Sequence, residues 1–244
     1  MDDVSNLPID LPELNPDARL GIELEGWFPR SHNVGYGFTS QRRHARYCLD
    51  NAGVPYARGN RRDSSYSRWQ VIPELVMPRR IPEIISPIIQ GSDGIRQIAA
   101  VFCSLNGNGF TANRFCGLHV HVSRKSSLWN LREVWQVQKV FESQWDDYDE
   151  CLAADRRGVW PASGPEDALN YCAGYGTFEW KAREAATYAD PATLHYIVGI
   201  ANFTLAAAED TDAQLLDYLS PCLPHKPSTL IQTGARSPVQ PVVS

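Results

Sequence analysis

The chain has 244 residues, of which 43 % are hydrophobic and 21 % charged, a balance that fits a folded globular protein and excludes a disordered one. Its formal net charge of -5 argues against non-specific nucleic-acid binding. No apolar run approaches the roughly 20 residues needed to span a bilayer, so no membrane partner is expected.

The start, "MDDVSNLPIDLPELNPDARL", has neither the basic end nor the apolar segment of a secretory leader. Six cysteines (Cys48, Cys103, Cys116, Cys151, Cys172 and Cys222) are scattered without a C-x-x-C pair. That usage reads as buried thiols in a reducing compartment, which makes the cytoplasm the expected location. Residues 1–17 read as an extended arm. "ARLGIELEGWF" (18–28) alternates as a strand. "TSQRRHARYCLDNAG" (39–53) is helical, with Thr39 as cap and Gly53 supplying the left-handed end. The basic loop "YARGNRRDSSYSRWQ" follows. "WQVIPELV" and "IPEIISPI" are short extended segments broken by Pro73, Pro78, Pro82 and Pro87.

"SDGIRQIAAVFCSLNGNG" carries a helical stripe of Ile95, Ile98, Phe102 and Leu105, stopped by glycines. The strand "FCGLHVHVS" (115–123) comes next. Residues 127–152 form the longest helical pattern, with Leu128, Leu131, Val134, Trp135, Val140, Phe141, Trp145 and Tyr148 along one side. "TFEWKAR" (177–183) alternates again, and "DPATLHYIVGIANFTLAAAE" reads as a helix with Asp190 as cap and Pro191 in its first turn. The periodic elements span 18–210. In the C-terminal segment 211–244, the proline-rich tail from Ser220 is expected to be irregular. The element order predicts an α+β fold, a mainly antiparallel sheet with helices on one face.

Three strands place ionisable residues on one face and apolar ones on the other. Glu23 and Glu25 oppose Ile22 and Leu24; His119 and His121 oppose Leu118, Val120 and Val122; Glu179, Lys181 and Arg183 oppose Phe178, Trp180 and Ala182. Glu74 and Glu83 lie in the proline-broken segments. Carboxylates on a strand are costly unless solvated or paired, so the faces are either wet or share a cation. Several carboxylates together are most readily reconciled by a divalent ion. Oxygen-rich ligation favours Mg²⁺ or Mn²⁺, although the histidines also suit Zn²⁺. A cupin-type H-x-H site is disfavoured, because Val122, Ser123, Arg124 and Lys125 stand where its carboxylate belongs.

In combination, "GIELEG", "PEIISPI", "CGLHVHVS" and "TFEWKAREAAT" followed by "DPATLHYIVGI" resemble the amidoligase family. That family lies within the glutamine synthetase and glutamate–cysteine ligase superfamily of carboxylate–amine ligases. The resemblance runs from about Leu20 to Ala208. It implies a curved, mainly antiparallel sheet like the glutamine synthetase catalytic domain, with 18–210 as that domain. It also implies ATP and Mg²⁺ or Mn²⁺ as cofactors, and amide formation through an acyl phosphate on an amino acid or peptide. By motif, Glu23, Glu25, Glu83, His119 and Glu179 are the implied metal ligands, with Glu74 a rival to Glu83. His121 is the implied contact to phosphate or substrate. The family carries arginine two residues after the late glutamate, where this chain has Lys181, so the phosphate-contacting cation is Lys181 or Arg183.

The arginines 42, 43, 46, 58, 61, 62 and 68 crowd one region with Tyr47, Tyr56, Tyr66 and Trp69. This block reads as capture of ATP or an anionic substrate, as nucleic-acid contact, or as a solvated surface. Asp63, Ser64 and Ser65 resemble the family's D-x-S and put the loop near the site. Arg156 is a further candidate to touch phosphate. Two other readings stay open: a metal-dependent hydrolase or oxygenase without nucleotide, and a non-catalytic protein docking nucleic acid through residues 42–68.

Overall fold

A computed structural model describes residues 11–29, 38–58, 62–73, 81–112, 116–153, 164–184 and 191–220, with the side chains of 150–153, 182–184 and 191 excepted. In chain order the elements are β1 (Ala18–Glu25), α1 (Phe38–Asn51), β2 (Gln70–Pro73), β3 (Pro82–Ile85), α2 (Gly91–Gly107), β4 (Gly117–Arg124), α3 (Leu131–Ser143), α4 (Trp145–Ala153), α5 (Pro165–Ala168), β5 (Leu169–Cys172), β6 (Thr177–Glu184), α6 (Pro191–Glu209) and α7 (Leu215–Leu219). The strands make one open sheet in the order β2-β3-β1-β4-β6-β5, every pairing antiparallel.

β1 organises the sheet. Its alternation buries Ala18, Leu20, Ile22 and Leu24 on one face and turns Arg19, Gly21, Glu23 and Glu25 to the other. On the apolar side α6 packs against β1 and β4, while α1 packs against β2 and β3. The core centres on Trp180, whose ring meets Phe141 at 4.9 Å and Phe203 at 6.0 Å in edge contacts. Its buried indole N–H donates to Thr204 Oγ1 at 3.1 Å, so the core contains no cost from that donor.

The "ISP" after β3 has a local physical reason. Pro87 has no N–H to give, so the pairing with β1 is completed by Ser86. Its N–H donates to the Ile22 carbonyl at 2.9 Å, and its Oγ accepts the Ile22 N–H at 2.9 Å. Gly199, inside α6, is a site of close approach: a Cβ there would lie 2.4 Å from the Tyr218 carbonyl oxygen at the end of α7.

The α+β expectation agrees with this sheet and these helices; several local readings change. The 127–152 pattern starts later and divides in two: a capping box between Asn130 and Glu133 begins α3 at Leu131, and Gln144 caps its end ahead of α4. The buried stripe of α3 is Val134, Val137, Val140 and Phe141, whereas Leu128, Leu131 and Trp135 are exposed. Cys103 is also exposed, while Cys48 and Cys116 are buried. Among the described residues no helix is long and apolar enough to cross a membrane. The proposed cap Asp190 lies outside the described residues, as does the tail from 221.

Candidate active site

Register places four ionisable side chains in a lattice on the polar face. Glu23 on β1 stands opposite His119 on β4, and His121 stands opposite Glu179 on β6. Direct and diagonal neighbours on one face of a sheet lie within reach of each other. Each histidine therefore meets both acids. His119 Nδ1 is 3.4 Å from Glu23 Oε2 and 3.6 Å from Glu179 Oε1. His121 Nε2 is 3.7 Å from Glu23 Oε1 and 3.9 Å from Glu179 Oε1.

The two imidazoles are held differently. His119 Nδ1 is hydrogen-bonded to Glu23, and its ring lies so close to Gly117 that a Cβ there would be 2.7 Å from Nε2. His121 has Nδ1 at 3.3 Å from Thr177 Oγ1. Its Nε2 is buried without a hydrogen-bond partner among the described residues, the carboxylate oxygens being too far. A buried polar atom in this state is open to a water or an ion.

One atom each from Glu23, His121 and Glu179 fall within 4.8 Å of one another. Two carboxylate oxygens and one imidazole nitrogen suit Mg²⁺ or Mn²⁺. Cys172 Sγ donates to Glu179 Oε2 at 3.4 Å. Burial and then the Glu179 charge push this thiol up to about 11, which keeps it neutral beside the carboxylate.

Cations balance the acids. Arg62 Nη2 lies 3.2 Å from Glu23 Oε1 and 3.0 Å from Glu83 Oε1. Lys181 Nζ is 3.0 Å from Glu179 Oε2. Glu25, paired across the ladder with Glu83, accepts the Gly117 N–H at 2.7 Å. Burial alone would raise the Glu23 carboxyl, but His119, His121 and Arg62 outweigh it and hold that group well below the usual carboxylate range. Burial likewise opposes charge on His119; the Glu23 hydrogen bond and the charges of Glu25, Glu23 and Glu179 prevail and raise its pKa.

A cavity of about 380 Å³ opens beside the cluster, lined by Glu23, His121, Arg62, Tyr66, Tyr175 and Thr177 among others. Gly21, in register with His121, leaves its floor clear. Tyr66 meets Tyr175 edge-on at 6.4 Å and adopts φ 45°, a conformation rare for a bulky residue and concentrated at functional sites.

The sequence-derived candidates divide clearly. Glu23, Glu25, Glu83, His119, His121, Glu179 and Lys181 all belong to this face. Arg183 pairs in register with Leu118, after a shift between Leu118 and Val120 that interrupts simple alternation; its side chain lies outside the described residues. Glu74, Arg61 and Arg156 also lie outside them. Of the basic block, Arg62 reaches the cluster, whereas Arg42, Arg43 and Arg46 line a separate pocket with Tyr47 and Tyr56. Asp63 serves the loop: it accepts from Ser65 N–H and Oγ, both at 2.9 Å, and its backbone is bound by Gln70. The residues that sequence reasoning missed are Thr177 and Gly117. Gly117 was visible as the small residue just before the histidines; Thr177 gave no signal.

A search of curated proteins gives no match. A family model described as "Putative amidoligase enzyme" matches residues 16–157, more than half of the chain. The match takes in Glu23, Glu25, Arg62, Glu83, His119 and His121; Glu179 and Lys181 lie beyond it and are brought in by the pairing of β6 with β4. The chain belongs to this amidoligase family, whose name denotes amide-bond-forming ligases.

Proposed function

We propose that the protein is an ATP- and divalent-metal-dependent carboxylate–amine ligase built on a glutamine synthetase-like sheet. Its substrates are an amine and the carboxylate of an amino acid or peptide. The observation that carries this reading is the buried, unpartnered His121 Nε2 facing Glu23 and Glu179 beside an open cavity.

A carboxylate is a poor acyl donor at neutral pH and needs activation. Transfer of the γ-phosphoryl group of ATP to a carboxylate oxygen gives an acyl phosphate and ADP. Attack by the amine then forms the C–N bond and releases phosphate and a proton. Such transfer depends on positioning and on positive charge spread over phosphate oxygens. Mg²⁺ or Mn²⁺ held by Glu23, His121 and Glu179 supplies that charge when bound.

The chain's own groups do the rest. Thr177 occupies His121 Nδ1 and so leaves Nε2 for ligation. His119 orients Glu23 through its hydrogen bond. Lys181 offers a point charge beside Glu179, and Arg183 is the alternative cation for the phosphoryl group. Glu25 and Glu83 extend the acidic face beyond Arg62.

Thermal unfolding of the full chain with MgATP or MnATP tests the reading: the melting temperature rises for the wild type, and the rise is lost in Glu23→Gln. ADP release across a panel of amino acids and peptides then identifies the substrates. One tightly held Zn or Fe, with no response to nucleotide, contradicts the proposal and favours the nucleotide-independent hydrolase or oxygenase.

A further inference from the structure

Three arginines line the cavity: Arg19, Arg62 and Arg124. Two of them are neutralised within the protein. Arg62 lies on Glu23 and Glu83. Arg124 is paired with Glu133 and Glu209 and stacks 4.5 Å over the Trp129 ring. Arg19 has no ion pair among the described residues, and its Nε is buried without a hydrogen-bond partner. The nearest carboxylate along the chain makes no ion pair with it: Asp17 turns to Ser126 instead, Oδ1 accepting its N–H at 2.8 Å and Oδ2 its hydroxyl at 2.7 Å.

A guanidinium stays charged at any working pH, and partial burial without a counter-charge is costly. Its planar fork of donors matches a carboxylate or a phosphate bidentately. Arg19 shares the polar face of β1 with Gly21 and Glu23, four residues or about 13 Å of extended strand from Glu23. Gly21 between them carries no side chain, so the floor runs unobstructed from one charge to the other. Across the ladder Arg19 stands opposite Ser123, which also lines the cavity.

We propose that Arg19, with Ser123 opposite, anchors a second anionic group, a carboxylate or a phosphate, at the end of the cavity remote from Glu23. This rests on the ligase reading for what occupies the Glu23 end. The subsite selects a ligand that is negatively charged at both ends of the groove. The second charge comes either from the substrate's own further carboxylate or from a nucleotide phosphate.

Calorimetric titrations of the full chain with glutarate, inorganic phosphate and Mn²⁺ test it. Arg19→Gln weakens anion binding about tenfold or more, the size of a lost charge-assisted pair, and leaves Mn²⁺ affinity within about twofold. Ser123→Asp gives Arg19 an internal partner. It abolishes anion binding with no fall in melting temperature, which keeps the proposal testable if Arg19→Gln does not fold. A response confined to glutarate assigns the subsite to the substrate carboxylate, and one confined to phosphate assigns it to the nucleotide. Anion binding that is absent from the wild type at millimolar concentration, or unchanged from wild type in both variants, overturns the proposal. Loss of the Mn²⁺ response alone sinks the metal reading and leaves the anion subsite standing.

Discussion

Arg62 and His121 face the same atom: Glu23 Oε1 lies 3.2 Å from the Arg62 guanidinium and 3.7 Å from His121 Nε2. An ion seated against Glu23 and His121 therefore meets the arginine's charge. Arg62→Gln is predicted to lower the melting temperature of the metal-free protein, because Glu23 and Glu83 lose their shared cation. It also raises Mn²⁺ affinity on the order of fivefold, about 1 kcal/mol for a partly exposed pair. Weaker Mn²⁺ binding in this variant, measured by electron paramagnetic resonance, contradicts the competition.

The two histidines separate by their second ring nitrogens. His121→Ala is expected to abolish Mn²⁺ binding. His119→Ala removes the hydrogen bond that orients Glu23, and so weakens binding by about 10- to 100-fold, as loss of a supporting partner does. This allocation, which we propose, reverses the one that the motif implies. A larger effect from His119→Ala than from His121→Ala restores the original allocation.

Gly117→Ala probes the packing under His119. The new Cβ would lie 2.7 Å from Nε2 and 3.0 Å from Cδ2, so the ring has to move away from Gly117. We predict a stability loss of about 1–3 kcal/mol by urea unfolding. The His119 ring resonances in NMR spectra shift with it. An unchanged stability and spectrum rule out the close approach.

Asp17 gives a pH dependence remote from the cluster. The Ser126 hydroxyl hydrogen bond, with lesser help from the Ser126 N–H, Arg124 and the Lys125 N–H, outweighs slight desolvation and lowers its pKa below the ordinary 3.8. A folded-state pKa below the unfolded one stabilises above the unfolded value, and that stabilisation is lost as pH falls through the folded one. Ser126→Ala is predicted to raise the Asp17 pKa toward 3.8 in a carboxyl NMR titration. It also reduces stability at pH 6 more than at pH 2.

Much of the site was legible because strand periodicity is local. E-x-E and H-x-H each fix a face, and the β1–β4 and β4–β6 registers then turn faces into contacts. The fold class followed from element order for the same reason. What was hidden depends on chain segments far apart in sequence. Arg62 stood in a block of similar arginines, and only the tie of Asp63 to Gln70 marks the loop that brings it to Glu23. Thr177 is unremarkable until β6 sets it beside His121. Leu128, Leu131 and Trp135 matched a helical stripe, but the capping box at Asn130 and the packing of α3 on α6 chose a different one.

The register shift between β4 and β6 works as a parity switch. Two steps along β4, from Leu118 to Val120, are matched by three along β6, from Arg183 to Trp180. Residues of β6 before the extra position keep the odd–even rule that sets Glu179 against His121, and residues after it follow the opposite rule. One extra residue thus resets which β6 positions after Lys181 fall opposite a given residue of β4, while the pairing of Glu179 with His121 is untouched.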